Sequence, residues 1–262
     1  MRKLFTSSII LVAVLTGCAA TSVPAEPSTA MQRLKPEVLQ VLPHDPAAFT
    51  EGLELVGGTL YEGTGLTGRS VVQSGPLGQA PSTRAALSPE LFGEGITVVG
   101  PTLWQLTWQN GFAIERDSAT LAEQRRVPYS GEGWGLCHQP GDDRLVMSNG
   151  SDRLTFRDPR TFAETGAVTV HSGEQTFSQL NELECVGDAV YANVWQTDSI
   201  LRIDAATGAV TATIDASGLL SAAERGQADV LNGIAAVPGT DRFLLTGKLW
   251  PKMFEVRLVP AP

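Results

Sequence analysis

The segment Phe92-Gly93-Glu94-Gly95-Ile96 and the apolar run that starts at Leu103 decide the fold, because variants of this pair recur along the chain. The runs of the other copies start at Leu60, Leu145, Val190 and Phe243. Their openings are Phe49-Thr50-Glu51-Gly52-Leu53, Glu132-Gly133-Trp134-Gly135-Leu136, Asn181-Glu182-Leu183-Glu184 and Leu231-Asn232-Gly233-Ile234. A repeat of about 40 to 50 residues is typical of a four-stranded β-propeller blade. The sequence therefore predicts an all-β fold, a five-bladed β-propeller.

The last copy has only three predicted strands after its opening, ending at residues 253–258. A fourth strand is available at residues 38–42, and its pairing with the last blade would remove an open sheet edge. Residues 73–83 are rich in Gly, Pro and Ser and are predicted to form a loop. Residues 221–227 are predicted to form one helical turn.

Because the first strand of each blade lines the central channel, the openings should meet at one end of it. The second strands should end around them. We expect convergence of Glu51, Glu94, Glu132, Asn181, Glu182 and Asn232, surrounded by Trp108, Trp195 and Lys248. Because neighbouring carboxylates repel one another, the pKa of at least one of them is raised, and that group can carry a proton near neutral pH. The alternative is that these acids cap turns or bind a structural cation. Gly93 and Gly95 would allow a ligand close to the backbone.

The N-terminus reads as an export signal rather than as part of the fold. Arg2 and Lys3 precede a short apolar stretch that ends in Leu15-Thr16-Gly17-Cys18. This ending resembles a bacterial lipobox, which implies cleavage after residue 17 and a lipid on Cys18. Residues 18–36 read as a flexible tether and residues 37–262 as the propeller domain. We therefore expect a lipoprotein on the outer face of the cell membrane, bound only through its lipid.

The formal net charge of −9 argues against nucleic acid as a partner, because phosphate binding needs a basic surface. The sequence contains no long exposed apolar stretch that would favour a dimer, so a monomer is expected. Cys137 and Cys185 lie in the openings of neighbouring blades, and outside the cytoplasm they are permitted to pair. The sequence leaves open whether they form a disulfide or remain two buried thiols.

Taken together, the motifs resemble those of the plant and bacterial glutaminyl-peptide cyclotransferases. Besides the openings, the resemblance rests on Leu180-Asn181-Glu182-Leu183-Glu184, Ala192-Asn193-Val194-Trp195 and Thr246-Gly247-Lys248-Leu249-Trp250-Pro251. It implies a five-bladed propeller that converts the N-terminal glutamine of peptides and proteins into pyroglutamate and releases ammonia. It also implies Glu94 as the catalytic acid and base, with Asn181 and Lys248 as polar partners of the reacting amide. The implied pocket wall comprises Phe49, Phe92, Trp108, Trp134 and Trp195. Position 51 is often Gln in the family and is Glu51 here, so its role in substrate binding stays open.

No cofactor is implied, and His44, His138 and His171 lack the spacing of a zinc site. Two other functions remain open. One is a propeller that binds a ligand or protein without chemistry, since this fold supports many functions. The other is a calcium-dependent hydrolase such as a sugar lactonase, against which the tryptophans and Lys248 argue, because a cation is unfavourable beside a metal.

Overall fold

The computed structural model describes residues 31–262 and is built from β-strands that follow one another as antiparallel meanders. Strand β1 comprises Gln32–Pro43. The first meander comprises β2 (Thr50–Val56), β3 (Thr59–Thr64), β4 (Val71–Pro76) and β5 (Thr83–Ala86). The second comprises β6 (Gly93–Val99), β7 (Thr102–Thr107), β8 (Phe112–Asp117) and β9 (Glu123–Pro128). The third comprises β10 (Leu136–Gln139), β11 (Arg144–Met147), β12 (Arg153–Arg157) and β13 (Glu164–Thr169), with a 3-10 turn at Pro140–Asp142.

A short hairpin leads into the second half, with β14 at His171–Ser172 and β15 at Gln175–Thr176. The fourth meander comprises β16 (Leu180–Val186), β17 (Ala189–Val194), β18 (Ser199–Asp204) and β19 (Val210–Asp215). Helix α1 (Ala222–Arg225) is the predicted helical turn, and Ser221 and Glu224 form its capping box. The last meander comprises β20 (Leu231–Ala236), β21 (Arg242–Gly247) and β22 (Lys252–Pro260). Within the described part of the chain, no helix is both long and apolar enough to span a membrane.

Strand β1 joins the two ends of the domain, as predicted. It pairs antiparallel with β22 in a register that includes Val38 opposite Val256, and its first residues pair parallel with β19. The fourth and last meanders thereby merge into one eight-stranded sheet. The strand starts at Gln32, ahead of the domain boundary expected at residue 37, because residues 32–36 find partners on both sides. The signal segment and Cys18 lie outside the described residues.

The predicted loop over residues 73–83 is wrong at both ends, since β4 extends to Pro76 and β5 begins at Thr83. The reason is a buried polar partner. Gln73 is buried and its side chain donates a hydrogen bond to Glu62 of β3 at 2.8 Å. In β4 an inward-facing position is occupied by a polar residue that binds a buried carboxylate. The strand therefore lacks the alternation of apolar and polar residues by which strands are recognised in a sequence.

The first strands of the meanders contact one another in a closed circuit, β2 to β6, β6 to β10, β10 to β16, β16 to β20 and β20 to β2. Apolar clusters fill the space between successive meanders, for example Tyr61 and Val72 against Ile96 and Leu103. A disulfide between Cys137 and Cys185 links β10 to β16, with the Cα atoms 5.4 Å apart. The pairing that the sequence left open is therefore a bridge.

Close approach of these first strands explains their glycines. A Cβ on Gly95 would lie 2.6 Å from the carbonyl oxygen of Trp134, and one on Gly93 would lie 2.9 Å from that of Thr64. Both glycines therefore accommodate neighbouring backbone, which corrects the expectation that they leave room for a ligand. Glu182 of β16 connects two other first strands, because its side-chain carboxyl group accepts the backbone N–H groups of Leu53 in β2 at 3.2 Å and Ile234 in β20 at 2.8 Å.

A buried ion pair fastens the first meander to the last. His44, between β1 and β2, lies 2.6 Å through Nδ1 from the carbonyl oxygen of Trp250 and 2.9 Å through Nε2 from Glu62. Glu62 also accepts hydrogen bonds from Thr50 and Gln73. Because both neighbours of the ring are acceptors, both ring nitrogens must donate, and His44 is an imidazolium. Burial disfavours this charge, but Glu62 and the Trp250 carbonyl outweigh it and raise the pKa of His44 above 6.5.

We expect His44→Gln to lower the free energy of unfolding by roughly 3–5 kcal/mol near pH 6, because it leaves Glu62 buried without its cation. A raised folded pKa stabilises the protein below the unfolded value and loses this effect as pH rises through the folded pKa. The difference between wild type and variant should therefore be largest below about pH 6.5, the ordinary pKa of histidine, and should shrink as the pH rises through the raised pKa of folded His44. Urea unfolding of both proteins across this range measures it. A difference that stays constant with pH would show that His44 is neutral.

Candidate active site

A cavity of about 360 Å³ lies at the end of the circuit where the first strands begin, and its size is typical of a site for a small ligand. Its lining residues are Phe49, Glu51, Phe92, Glu94, Trp108, Trp134, Asn181, Trp195, Gln196, Asp229, Val230 and Lys248. The catalytic residues and the pocket-wall residues that the family resemblance implied are all among them, and so is Glu51. The structure therefore brings these residues together around one cavity.

The repeat explains this convergence. Glu51, Glu94 and Asn181 lie at equivalent positions near the start of β2, β6 and β16. Because these strands contact one another side by side, equivalent positions lie together although they are far apart in sequence. Lys248 directly follows β21, so it reaches the cavity from the end of a second strand.

An ion pair and a second carboxyl group form the floor of the cavity. The Nζ of Lys248 donates to Oε1 of Glu51 at 2.8 Å, and both side chains are buried. Asn232 donates to the other oxygen of Glu51 at 3.2 Å and to the carbonyl of Thr50 at 2.9 Å. Glu94 is also buried and faces the charge of Glu51. Glu51 therefore has a cation and an amide as donors, whereas Glu94 lies beside an anion.

This asymmetry decides which carboxyl group holds a proton. Burial raises the pKa of Glu51 to about 7, against the opposing effect of Lys248. Burial and then the charge of Glu51 raise the pKa of Glu94 well above its usual range. Since Glu51 has the ammonium group of Lys248 as its hydrogen-bond partner, the proton shared by the pair resides on Glu94. The floor therefore presents one neutral acid beside an ion pair.

Asn181 adds an unused acceptor to the floor. Its backbone carbonyl accepts a hydrogen bond from Ser148 at 2.6 Å, which fixes the residue in β16. Its side-chain oxygen Oδ1 is buried, and within residues 31–262 it has no hydrogen-bond partner. An unpaired polar atom in this position costs free energy unless a ligand pairs with it. Asn181 is thus ready to accept an N–H group from a molecule in the cavity.

Aromatic rings form the wall. Phe49 packs edge to face on Phe92 at 6.3 Å, and Phe92 lies 5.6 Å from Trp108. On the other side Trp134 packs edge to face on Trp195 at 5.6 Å. The Nζ of Lys248 lies 4.7 Å from the centre of the Phe49 ring, within the range of a cation–π contact. The remaining tryptophans, Trp104 and Trp250, are fully buried in the core.

Glu132, Asn232 and Glu182 were expected at the same place, but they do not line the cavity. Glu132 connects the two sides of the wall, because its Oε2 accepts the indole N–H groups of Trp108 at 2.8 Å and Trp134 at 3.0 Å. Asn232 supports Glu51, and Glu182 bridges the first strands through their backbone. These polar residues hold the site in shape rather than facing its contents.

Sequence reasoning missed Gln196, Asp229 and Val230, which lie toward the mouth. Each adjoins a motif that was recognised: Gln196 follows Trp195, and Asp229 and Val230 precede the opening at Leu231. Their position next to a recognised motif was the one feature of the sequence that could have indicated them. Among the described residues, no group of three or more His, Cys, Asp or Glu side chains is placed to hold a metal ion.

Comparisons with known proteins agree with this geometry. A family model described as glutamine cyclotransferase matches residues 9–258. A glutaminyl-peptide cyclotransferase of Arabidopsis thaliana is 37% identical over 232 residues, which cover 86% of this chain and 72% of the relative. The crystal structure of Myxococcus xanthus glutaminyl cyclase superposes with a TM-score of 0.81 and 39% identity, covering 88% of this chain and 100% of the other. The chain belongs to the glutamine cyclotransferase family.

Proposed function

We propose that this chain converts the N-terminal glutamine of peptides and proteins into pyroglutamate and releases ammonia. Family membership and the activities that name its relatives support this function. The observation that carries it is the floor of the cavity, where Glu94 lies beside the Glu51–Lys248 pair and the unpaired Oδ1 of Asn181. A proton carrier, a cation and an acceptor in an aromatic pocket are what this cyclisation needs.

We further propose that the meanders are the blades of a five-bladed propeller, closed by β1 in the last blade. The repeated four-stranded pairing and the closed circuit of first strands support this arrangement. In such a fold the cavity is the mouth of the central channel. The domain then comprises residues 37–262 together with the start of β1.

The proposed reaction forms one bond and breaks one. The neutral α-amine of glutamine attacks its own side-chain carbonyl carbon, and the bond from that carbon to the amide nitrogen then breaks. Glu94 donates its proton to the departing nitrogen and takes the proton that the attacking nitrogen loses, so ammonia leaves and Glu94 is restored. An α-amine has a pKa of about 7.7–8.0, so the neutral form is accessible near neutral pH. Because the attack is intramolecular, positioning by the aromatic wall supplies much of the acceleration.

Lys248 and Asn181 complete this mechanism. Lys248 uses one N–H for Glu51, and its ammonium group can donate another to the oxygen that becomes negative in the tetrahedral intermediate. Asn181 was expected to donate to the same oxygen. Its unpaired atom is an acceptor, so it also suits an N–H group of the substrate. The mechanism uses no metal or cofactor.

The location of the protein is a separate proposal. The lipobox-like ending at Cys18 and the polar tether support export and attachment by a lipid to the outer face of the cell membrane. We propose a monomer whose substrates approach the mouth of the cavity from outside the cell. The acidic composition is compatible with cationic peptide N-termini and not with nucleic acid.

The dipeptide Gln-Ala tests the function directly. We expect the purified protein to release ammonia and pyroglutamyl-alanine from it at the same rate with and without a chelator. Loss of activity on chelation would contradict metal independence. A protein that hydrolyses a sugar lactone but leaves Gln-Ala unchanged would be a hydrolase. A protein that acts on neither would favour the non-catalytic, ligand-binding function.

A further inference from the structure

The cavity has a buried floor and an exposed mouth, which fixes the direction in which a peptide enters. Glu51, Glu94, Asn181 and Lys248 are all buried, whereas Trp108 is 37% exposed and Gln196 and Asp229 are exposed. On the proposed function, the N-terminal glutamine must reach the floor. The residue that follows it in the peptide then lies at the mouth, beside the side chains that the sequence reasoning missed.

Asp229 is held firmly in that mouth. Its backbone N–H donates to the carbonyl of Lys248 at 2.9 Å, and its own carbonyl accepts the indole N–H of Trp250 at 2.9 Å. Oδ1 of its carboxylate accepts the backbone N–H of Val230 at 2.7 Å. In the described part of the chain no basic group lies within ion-pair distance of this carboxylate. Asp229 therefore presents an uncompensated negative charge on a rigid backbone.

No other lining residue competes with Asp229 for a cation at the mouth. Glu132, which does not line the cavity, accepts two indole N–H groups through Oε2 and the side chain of Gln109 through Oε1 at 2.8 Å. Lys248 is the one basic residue among the lining residues, and it is paired with Glu51. The mouth is therefore negative at Asp229, while the floor is balanced by its own ion pair.

We propose that Asp229 determines specificity for the second residue of the substrate, favouring a basic side chain there over an acidic one. A lysine or arginine side chain is long enough to stay in solvent while its charge approaches the carboxylate. This inference rests on the proposed function, because it places the glutamine at the floor. Asp229 takes no part in the bond changes, so its effect falls on KM rather than on kcat.

Three peptides capped as C-terminal amides test it: Gln-Lys, Gln-Ala and Gln-Glu. We expect wild type to favour Gln-Lys over Gln-Glu by about fivefold in kcat/KM, the size given by exposed charge pairs, and to lose this preference at high salt. Asp229→Asn should bring the ratio close to one, because kcat/KM falls for Gln-Lys and rises for Gln-Glu. The matched control is Asp188→Asn, which removes an exposed carboxylate from the turn at the opposite end of β16.

A preference that survives in Asp229→Asn, or that Asp188→Asn abolishes equally, would overturn the proposal. An equal fall for all three peptides in Asp229→Asn would overturn it too, because Asp229 would then act on the glutamine. The preference can also be measured as a ratio of dissociation constants, without turnover, by titrating the peptides into Glu94→Gln and following tryptophan fluorescence. Absence of Gln-Ala turnover in wild type would refute the cyclisation, while the affinity ratio still decides the role of Asp229.

Discussion

Glu94→Gln is expected to lower kcat for Gln-Ala at least about 100-fold while the fold stays intact, because positioned acid–base catalysis contributes about 10²–10⁴-fold. The replacement has the same shape and can still donate a hydrogen bond to Glu51, so the floor keeps its packing. It cannot carry a proton between the two nitrogens. KM should change little. Initial-rate measurement of ammonia release, with the circular dichroism and melting temperature of each protein, checks this result.

Glu54→Gln is the matched control. Glu54 lies in β2, and burial raises its pKa to about 7 while the backbone N–H of Val98 donates to it at 2.6 Å. Glu54 is thus a partly buried acid with a raised pKa on a neighbouring first strand, and it does not line the cavity. We expect its variant to keep activity within a few-fold of wild type. If Glu94→Gln also stayed within that range, Glu94 would not be the proton carrier.

Much of the site could be predicted from the sequence, because equivalent positions in the copies of the repeat lie close together in the fold. Glu51, Glu94 and Asn181 occur at the same place in the first, second and fourth copies, so locating the first strands was enough to bring them together. Lys248 and Trp195 could be added because each ends a second strand. The closing strand was predictable for a related reason, since the last copy lacked a fourth strand.

Features without an equivalent in the other copies could not be predicted. Asp229 and Gln196 belong to connections that differ from one meander to the next. Gln196 has a positive φ of 61°, which no pattern of residue types in this chain indicates. Gln73 was assigned to a loop because its strand serves a buried carboxylate. The pairing of Glu51 with Lys248 depends on side-chain distances, which the order of residues does not determine.

Lys248→Met is expected to impair both catalysis and stability. Removal of one donor to a developing oxyanion costs about 10²–10³ in kcat. It also leaves Glu51 buried beside Glu94 without a cation, and breaking a buried pair from one side costs about 3–5 kcal/mol. Since Lys248 lowers the pKa of both carboxyl groups, its loss should raise both values and drive a proton onto Glu51. Urea unfolding and ammonia release measure the two effects separately.

The double variant Glu51→Gln with Lys248→Met separates the two roles of the lysine. It removes both charges of the pair, and replacing a buried ion pair by neutral groups is often close to neutral in stability. The new amide oxygen can still accept the hydrogen bond from Asn232 that Glu51 accepts at 3.2 Å. We therefore expect most of the lost stability to return while turnover stays low, because the donor to the oxyanion is still missing. Recovery of turnover together with stability would show that Lys248 only neutralises Glu51 and does not act on the substrate.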